Sequence, residues 1–342
     1  MNVFVNDYND LCHKEVLDTL INLNKKGNGS YGRDIYSDKA KEYIKRDLEN
    51  EDVHIEFLAG GTIANIVAIS ANLLPYESVI AASSGHISCH ETASIEATGH
   101  KVEIIDTEDG KLTPELIYKK VTELCEEFHT SPKMVYISQT TETGSVYSYD
   151  EINKIYRMCL ELGLYLYIDG ARMAVGLAAS DIEIFDLPEL CDIFTLGGTK
   201  NGATCGEALV IVADELKENI RRYMKQRGAI MAKGFFIGAQ FMTLFKDGLY
   251  YELGKTSYDL SMYLSKGLKN IGVEFSEEPL SNQIFINFKT SLVDKLRENN
   301  SFEIINTNKD TSTIRLVTNY QTTKDEIDNL ILDIKNLTLT QS

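Results

Sequence analysis

From residue 53 to residue 213 the chain alternates two apolar patterns. Seven short runs are nearly continuous in apolar residues: "VHIEFL" (53–58), "SVIAA" (78–82), "KVEIID" (101–106), "KMVYISQ" (133–139), "LYLYIDGAR" (164–172), "CDIFTLG" (191–197) and "EALVIVA" (207–213). Longer stretches separate several of them, with apolar positions recurring at helical spacing: 62–74, 90–99, 113–128 and 149–163. The third of these starts with Thr113 as N-cap, Pro114 at the first position and Glu115 in the first turn, where the helix dipole favours a negative charge. Leu116 at the third position leaves the capping box incomplete, and Gly99 is placed to end the 90–99 helix. Apolar strands alternating with amphipathic helices predict an α/β fold, a mostly parallel seven-stranded sheet with helices on both faces. Ligands of such sheets bind beyond the carboxyl ends of the strands.

After residue 213 the pattern changes. Residues 214–270 read as mostly helical, followed by strands at 282–288 and 311–318 and helices in "SLVDKLREN" and "TKDEIDNLILDIKNL". The expected division is a large domain over 1–250, including the N-terminal segment, and a small α+β C-terminal domain over 251–342. No flexible linker or internal repeat separates them.

Composition narrows the function classes. The 342 residues are 43% hydrophobic and 25% charged, ordinary for a globular enzyme, and 18 Tyr and 13 Phe supply bulk in the absence of Trp. A formal net charge of −17 argues against nucleic acid and acidic membrane as partners, though a local cluster of donors still suits an anionic small molecule. The first ten residues have neither a basic nor an apolar signal region, and no stretch approaches the ~20 apolar residues of a spanning helix. Six cysteines without a C-x-x-C pair read as reduced thiols of a cytoplasmic protein.

Against that frame, several strand ends carry unusual residues. "GGTKNG" (197–202) sets Lys200 on a glycine-bounded turn; alone it reads as a solvated loop lysine. "LAGGTIAN" (58–65) puts Gly61 and Thr62 where a helix N-terminus offers free N–H groups to an anion, or simply makes a tight turn. Asp169 follows a strongly apolar run and needs a cationic or hydrogen-bonding partner unless it only starts a turn. Arg172, three residues on, is that partner or a separate anion contact. His86 is suited to stack on a flat ligand, leaving His90 on the surface; with His90 and Glu91 it also raises the alternative of a metal site, although "HISCHE" is not the H-E-x-x-H pattern. Arg315, in an otherwise apolar strand, matches a carboxylate if it points inward and water if the strand is an edge. Taken jointly, a lysine for a Schiff base, a carboxylate for a ring nitrogen, an anion cup, a stacking ring and a carboxylate-binding arginine fit pyridoxal 5'-phosphate and an amino-acid substrate.

In these residues the chain resembles the threonine aldolase / β-eliminating lyase family of fold type I pyridoxal-phosphate enzymes. "NDY" (6–8), "YGRD" (31–34), "GGTIAN", "GHISCHE", "DGAR", "GGTKNG" and "IRLVT" stand in the family's order and at about its spacing. The resemblance implies that Lys200 is the Schiff-base lysine, Asp169 the pyridine-nitrogen partner and His86 the stacking residue. Gly61 and Thr62 would form the phosphate turn, Arg172 would lie beside the cofactor's ring oxygen, and Arg315 would bind the substrate carboxylate. Tyr31 matches a tyrosine near the cofactor that often comes from a partner subunit, so a homodimer or homotetramer with shared active sites is expected. Lys225, Arg227 or Lys233 is expected to supply a positive group to the phosphate. Three positions depart from the family: Asn6 and Thr199 stand where serine is usual, and Glu142 where a histidine handles the substrate's β-hydroxyl. A carboxylate with an ordinary pKa of about 4.3 is a poor base unless burial raises it.

The resulting expectation is a pyridoxal-phosphate-dependent lyase that splits L-threonine-like β-hydroxy amino acids into glycine and an aldehyde, with no metal. The alternatives are a β-eliminating lyase, racemase or aminotransferase with the same cofactor, a metal-dependent hydrolase built on His86, His90 and Glu91, and a non-catalytic binding protein.

Overall fold

The computed structural model describes residues 1–23 and 27–339. Seven strands form the main sheet: β1 (His54–Leu58), β2 (Glu77–Ala82), β3 (Val102–Ile105), β4 (Ser131–Ser138), β5 (Tyr165–Asp169), β6 (Ile193–Gly197) and β7 (Glu207–Ile211). Their order is β1-β7-β6-β5-β4-β2-β3. Only β7 runs antiparallel to its neighbours. Successive side chains of a strand point to opposite faces, and here both faces are covered. Val135, Ile137, Leu166 and Ile168 join one apolar cluster, while Met134, Tyr136 and Tyr167 join the other. That double burial is why the runs are apolar without clean alternation.

The flanking helices follow the expected signals closely. Thr113 Oγ1 accepts from the Leu116 N–H at the start of Pro114–Glu123. The helix Tyr149–Leu162 carries a capping box from Ser148 and Glu151 and stops at Gly163, whose φ of 68° is left-handed. The 90–99 helix is a correction. A single turn, His86–Cys89, precedes it, and only Glu96–Thr98 is helical thereafter, of the 3₁₀ kind. Thr92 and Ala93 take left-handed φ values of 50° and 56°. These turn the chain so that Glu91 is buried and bonded to His86 and Asn65, at the expense of the regular helix. Gly99 does cap the short turn, at φ 99°.

Residues 214–270 contain the helices Ile220–Gln226, Phe235–Lys246 and Leu249–Asn270. The last spans two cores: Leu249, Tyr250 and Leu253 pack with the main sheet, and Leu264 and Leu268 with a separate cluster. That cluster lies on a three-stranded antiparallel sheet of β8 (Gln283–Lys289), β9 (Glu303–Thr307) and β10 (Thr311–Val317), with β10 in the middle. Strand β9 has no buried residue, which is why its pattern carried no strand signal. Phe4 is buried in the same cluster, and Asn2–Val3 pairs in parallel with Asn300–Ser301.

Candidate active site

The carboxyl ends of the parallel strands converge. β1 runs into Gly60–Thr62, β2 into His86, β4 into Glu142, β5 ends at Asp169, and β6 runs into Thr199 and Lys200. All of these residues line one cavity of about 320 Å³. It opens into a second cavity of about 710 Å³ that reaches Arg315 on β10, and Tyr8, His86, Glu142, Arg172 and Lys200 line both.

A buried hydrogen-bond network fixes Asp169. Its Oδ2 accepts from the Tyr136 hydroxyl at 2.7 Å and Asn65 Nδ2 at 3.1 Å, and its Oδ1 from the Ala171 N–H at 2.9 Å. Asn65 is itself oriented, accepting from the Tyr167 hydroxyl at 2.6 Å and donating to Glu91 Oε1 at 2.7 Å. The same Glu91 oxygen lies 2.7 Å from His86 Nδ1, and Glu91 Oε2 accepts from Ser94 at 2.6 Å. Glu91 raises the His86 pKa against the effect of partial burial, favouring imidazolium. These bonds occupy Glu91 within the network. Among the described residues no group of three or more His, Cys, Asp or Glu is arranged to hold a metal ion.

Arg172 does not pair with Asp169. Its Nε and Nη2 grip Asp7 at 2.7 and 3.0 Å, and Asn282 adds a third bond to Asp7 at 2.9 Å. Burial works against the Asp7 carboxylate, but Arg172 and Lys200 hold its pKa below the ordinary value. The N-terminal segment is thereby stapled to the strand ends. Lys200 is partly buried, with its Nζ 5.9 Å from the centre of the Tyr8 ring; desolvation and then Arg172 lower its ammonium pKa. Thr199 Oγ1 accepts from the Gly206 N–H at 3.0 Å, closing the lysine turn. Glu142 Oε1 accepts from the His86 N–H at 3.0 Å and Ser138 Oγ at 2.8 Å, and burial raises its pKa.

The residues fit the expected cofactor. Gly60 and Gly61 open the helix Gly61–Ser70, which no side chain caps, and a Cβ built at either glycine meets no atom within 4 Å. The uncapped start of this helix is thus open to close approach, as an incoming phosphate requires. A half-buried lysine amine, a rigid carboxylate and a half-buried imidazole share that space.

Other expected residues lie elsewhere. Arg315 reaches the larger cavity, ion-paired to Glu303, with Gln283 Oε1 3.4 Å from Nη1 and its buried Nε unpartnered. Asn6 lines neither cavity; its Oδ1 accepts from the Tyr8 N–H at 3.1 Å, and it is Tyr8 that reaches the lysine. Tyr31 is 47% exposed and borders a different depression beside Glu56 and Arg221, with Lys225 Nζ 5.4 Å from its ring centre. Neither Tyr31 nor Lys225, Arg227 or Lys233 lines the lysine cavity of its own chain. Sequence reasoning missed Asn65, Tyr136, Tyr167, Asp7 and Glu207. The tyrosines carried no signal, because their strands are equally apolar on both faces.

Residues 14–291 match the family described as beta-eliminating lyase. The low specificity L-threonine aldolase of Pseudomonas sp. (strain NCIMB 10558) is 30% identical over 296 residues, 85% of each chain. The corresponding protein of Saccharomyces cerevisiae is 25% identical over 78% of this chain and 69% of its own. The solved structure of Leishmania major threonine aldolase superposes with a TM-score of 0.97 at 40% identity, covering 98% of this chain and 99% of that one. Aspartate aminotransferase from Thermotoga maritima shares the fold at 16% identity, with a TM-score of 0.72 over 98% and 92% of the two chains. With the family matched over most of its length and the lysine cavity fitted to the cofactor, this chain belongs to the beta-eliminating lyases and is a pyridoxal-phosphate-dependent lyase of the aminotransferase-like fold.

Proposed function

We propose that the protein cleaves L-threonine and related β-hydroxy amino acids to glycine and an aldehyde. The observation that carries this reading is Glu142. It is a partly buried carboxyl whose pKa is raised, on the wall common to the lysine cavity and the Arg315 cavity. An amino acid held between Lys200 and Arg315 would present its β-hydroxyl along that wall. The likeness to threonine aldolases supports the same substrate class.

Pyridoxal phosphate, when bound, supplies the electron sink for charge developing at Cα. In our reading Lys200 would hold the cofactor through its side-chain amine. Asp169, fixed by Tyr136 and Asn65, would keep the ring nitrogen protonated. His86, oriented by Glu91, would cover the ring face. Gly61 and Thr62 would hold the phosphate, Thr199 shapes the lysine turn, and Arg172 would contact the ring oxygen. Arg315 binds the substrate carboxylate, exchanging Glu303 for it. Glu142 takes the β-hydroxyl proton as the Cα–Cβ bond opens. Asn6 acts only indirectly, by holding the turn that presents Tyr8.

We assign Tyr31, with one of Lys225, Arg227 and Lys233, to the active site of a second copy in a homodimer or homotetramer. Their position outside their own chain's lysine cavity supports this. Light scattering at working concentration should give at least a dimeric mass; a fully active monomer contradicts it. The division near residue 250, between the helix Phe235–Lys246 and the body of Leu249–Asn270, and a cytoplasmic setting suggested by six free thiols belong to the same reading.

The deciding experiment supplies L-threonine to the cofactor-loaded protein and quantifies products. Equal glycine and acetaldehyde is the expected outcome. Ammonia with a keto acid would make it an eliminating enzyme, with Lys200 removing the Cα proton.

A further inference from the structure

The N-terminal segment crosses from one sheet to the other and sets a tyrosine between them. Phe4 is buried in the cluster on the small sheet, and its carbonyl accepts from the Val317 N–H at 2.9 Å, two residues beyond Arg315 on β10. Asp7 is gripped by Arg172 and Asn282. Further on, the His13 N–H donates to the Gly202 carbonyl at 2.8 Å, two residues past Lys200. The backbone around Tyr8 is thereby anchored to both sheets, although its side chain is 49% exposed. That side chain lines both cavities, and the Lys200 Nζ stands over its ring. Its phenol lies within electrostatic reach of both Arg172 and Arg315. Among the described residues none hydrogen-bonds the hydroxyl.

A hydroxyl with an unspent donor, on a wall shared with Arg172, Lys200 and Arg315, is suited to an anion. Asp7 already neutralises Arg172, and the cofactor would take Lys200. The anion left to enter this space is the carboxylate of the amino acid. A carboxylate offers about four acceptor positions, and the planar fork of an arginine fills two of them. Gln283 lies beside Nη1 of Arg315, so that fork does not exhaust the carboxylate's demand for donors. We propose that the Tyr8 hydroxyl donates to the α-carboxylate of the substrate, as a second recognition group beside Arg315, and makes the site selective for amino acids over plain amines. The anchored backbone holds this donor in place before the ligand arrives, which lowers the ordering cost of binding. Asn6, where the sequence pointed to a substrate contact, serves this role through the turn it makes with the Tyr8 N–H.

The proposal rests on Lys200 holding the cofactor and Arg315 binding the carboxylate, and the test separates the two. Full-length protein loaded with pyridoxal 5'-phosphate is titrated with glycine and with methylamine, which shares the amine but lacks the carboxylate. Binding is read from the change in cofactor absorbance, without turnover. A parallel sample is reduced with borohydride and mapped. Tyr8→Phe keeps the ring, its contact with Lys200 and the backbone bond to Asn6, so the fold has no contact to lose. The expected result is Lys200 labelled in both proteins, with methylamine binding unchanged. Glycine binding should weaken about 10- to 100-fold in Tyr8→Phe, the usual effect of removing a hydrogen bond to a charged group. Unchanged glycine binding overturns the role of Tyr8 alone. So does an equal loss for both ligands, which would make the phenol a brace for Lys200. Loss of Lys200 labelling confined to the variant does the same. An unlabelled Lys200 in the unmodified protein, or glycine held there no better than methylamine, overturns the underlying reading and this one together.

Discussion

The seven-stranded and the three-stranded sheet each hold charged side chains away from bulk water, and they do it differently. Around the main sheet, two carboxyls sit at or beyond strand ends and are braced by uncharged neighbours: Asp169 by Tyr136 and Asn65, Glu142 by Ser138 and the His86 backbone. Arg315 instead projects from within the central strand of the small sheet, and its ion-pair partner Glu303 is on the exposed edge strand. Braced groups cannot adjust without breaking buried hydrogen bonds. An ion pair near solvent is worth about 0–1 kcal/mol and is readily exchanged. The contrast suggests a rigid side that performs chemistry and an adjustable side that selects and releases the amino acid.

Substitutions on the two sides should therefore fail in different ways. Lys200→Ala should abolish turnover and remove borohydride labelling, with the cofactor only loosely retained; substantial turnover by this variant would sink the assignment. Glu142→Gln should lower kcat for threonine by about 10²- to 10⁴-fold, the usual contribution of a general base. It should also remove the acid limb of the pH–rate profile. A base must be ionised to act, so in the unmodified protein the rate falls as pH drops through the raised Glu142 pKa. An unchanged profile in the variant would assign that limb to another group.

On the adjustable side the losses should appear in KM. Arg315→Lys removes the planar fork that suits a carboxylate. Charged hydrogen bonds contribute roughly 1.5–3 kcal/mol, so KM should rise about 10- to 100-fold with kcat little changed. A fall in kcat alone would place Arg315 on the rigid side instead. The smallest effect is expected for Glu303→Gln. Releasing Arg315 from its partner should lower KM by about fivefold or less, and a raised KM would make Glu303 part of the binding site rather than a place-holder.

The two sheets also differ in how much of them the chain's pattern revealed. The main strands were legible because burial on both faces demands unbroken apolar runs. Even there, the helix expected over 90–99 gave way to the demand of Glu91 for buried partners. The edge strand Glu303–Thr307, with no buried residue, left no trace in the pattern. Among the site residues, Lys200, Asp169, His86, Gly61 and Thr62 stood out as polar or glycine positions at the ends of apolar runs, and the fold brings them to one cavity. Asn6 and Tyr31 stood out by motif alone, and they lie outside it.

What the amino-acid order determined unaided was the succession of strands and helices, the parallel character of the sheet and the few strand ends at which chemistry was to be sought. Those features depend on residues a few positions apart, whose burial is written into local periodicity. The tertiary structure alone decided that Arg172 holds Asp7 at a separation of 165 residues, that Asn65 bridges Asp169 and Glu91, and that Glu207 lines the lysine cavity. Such pairings depend on which strand lies beside which. That order follows from the packing of the whole chain, and no short segment encodes it.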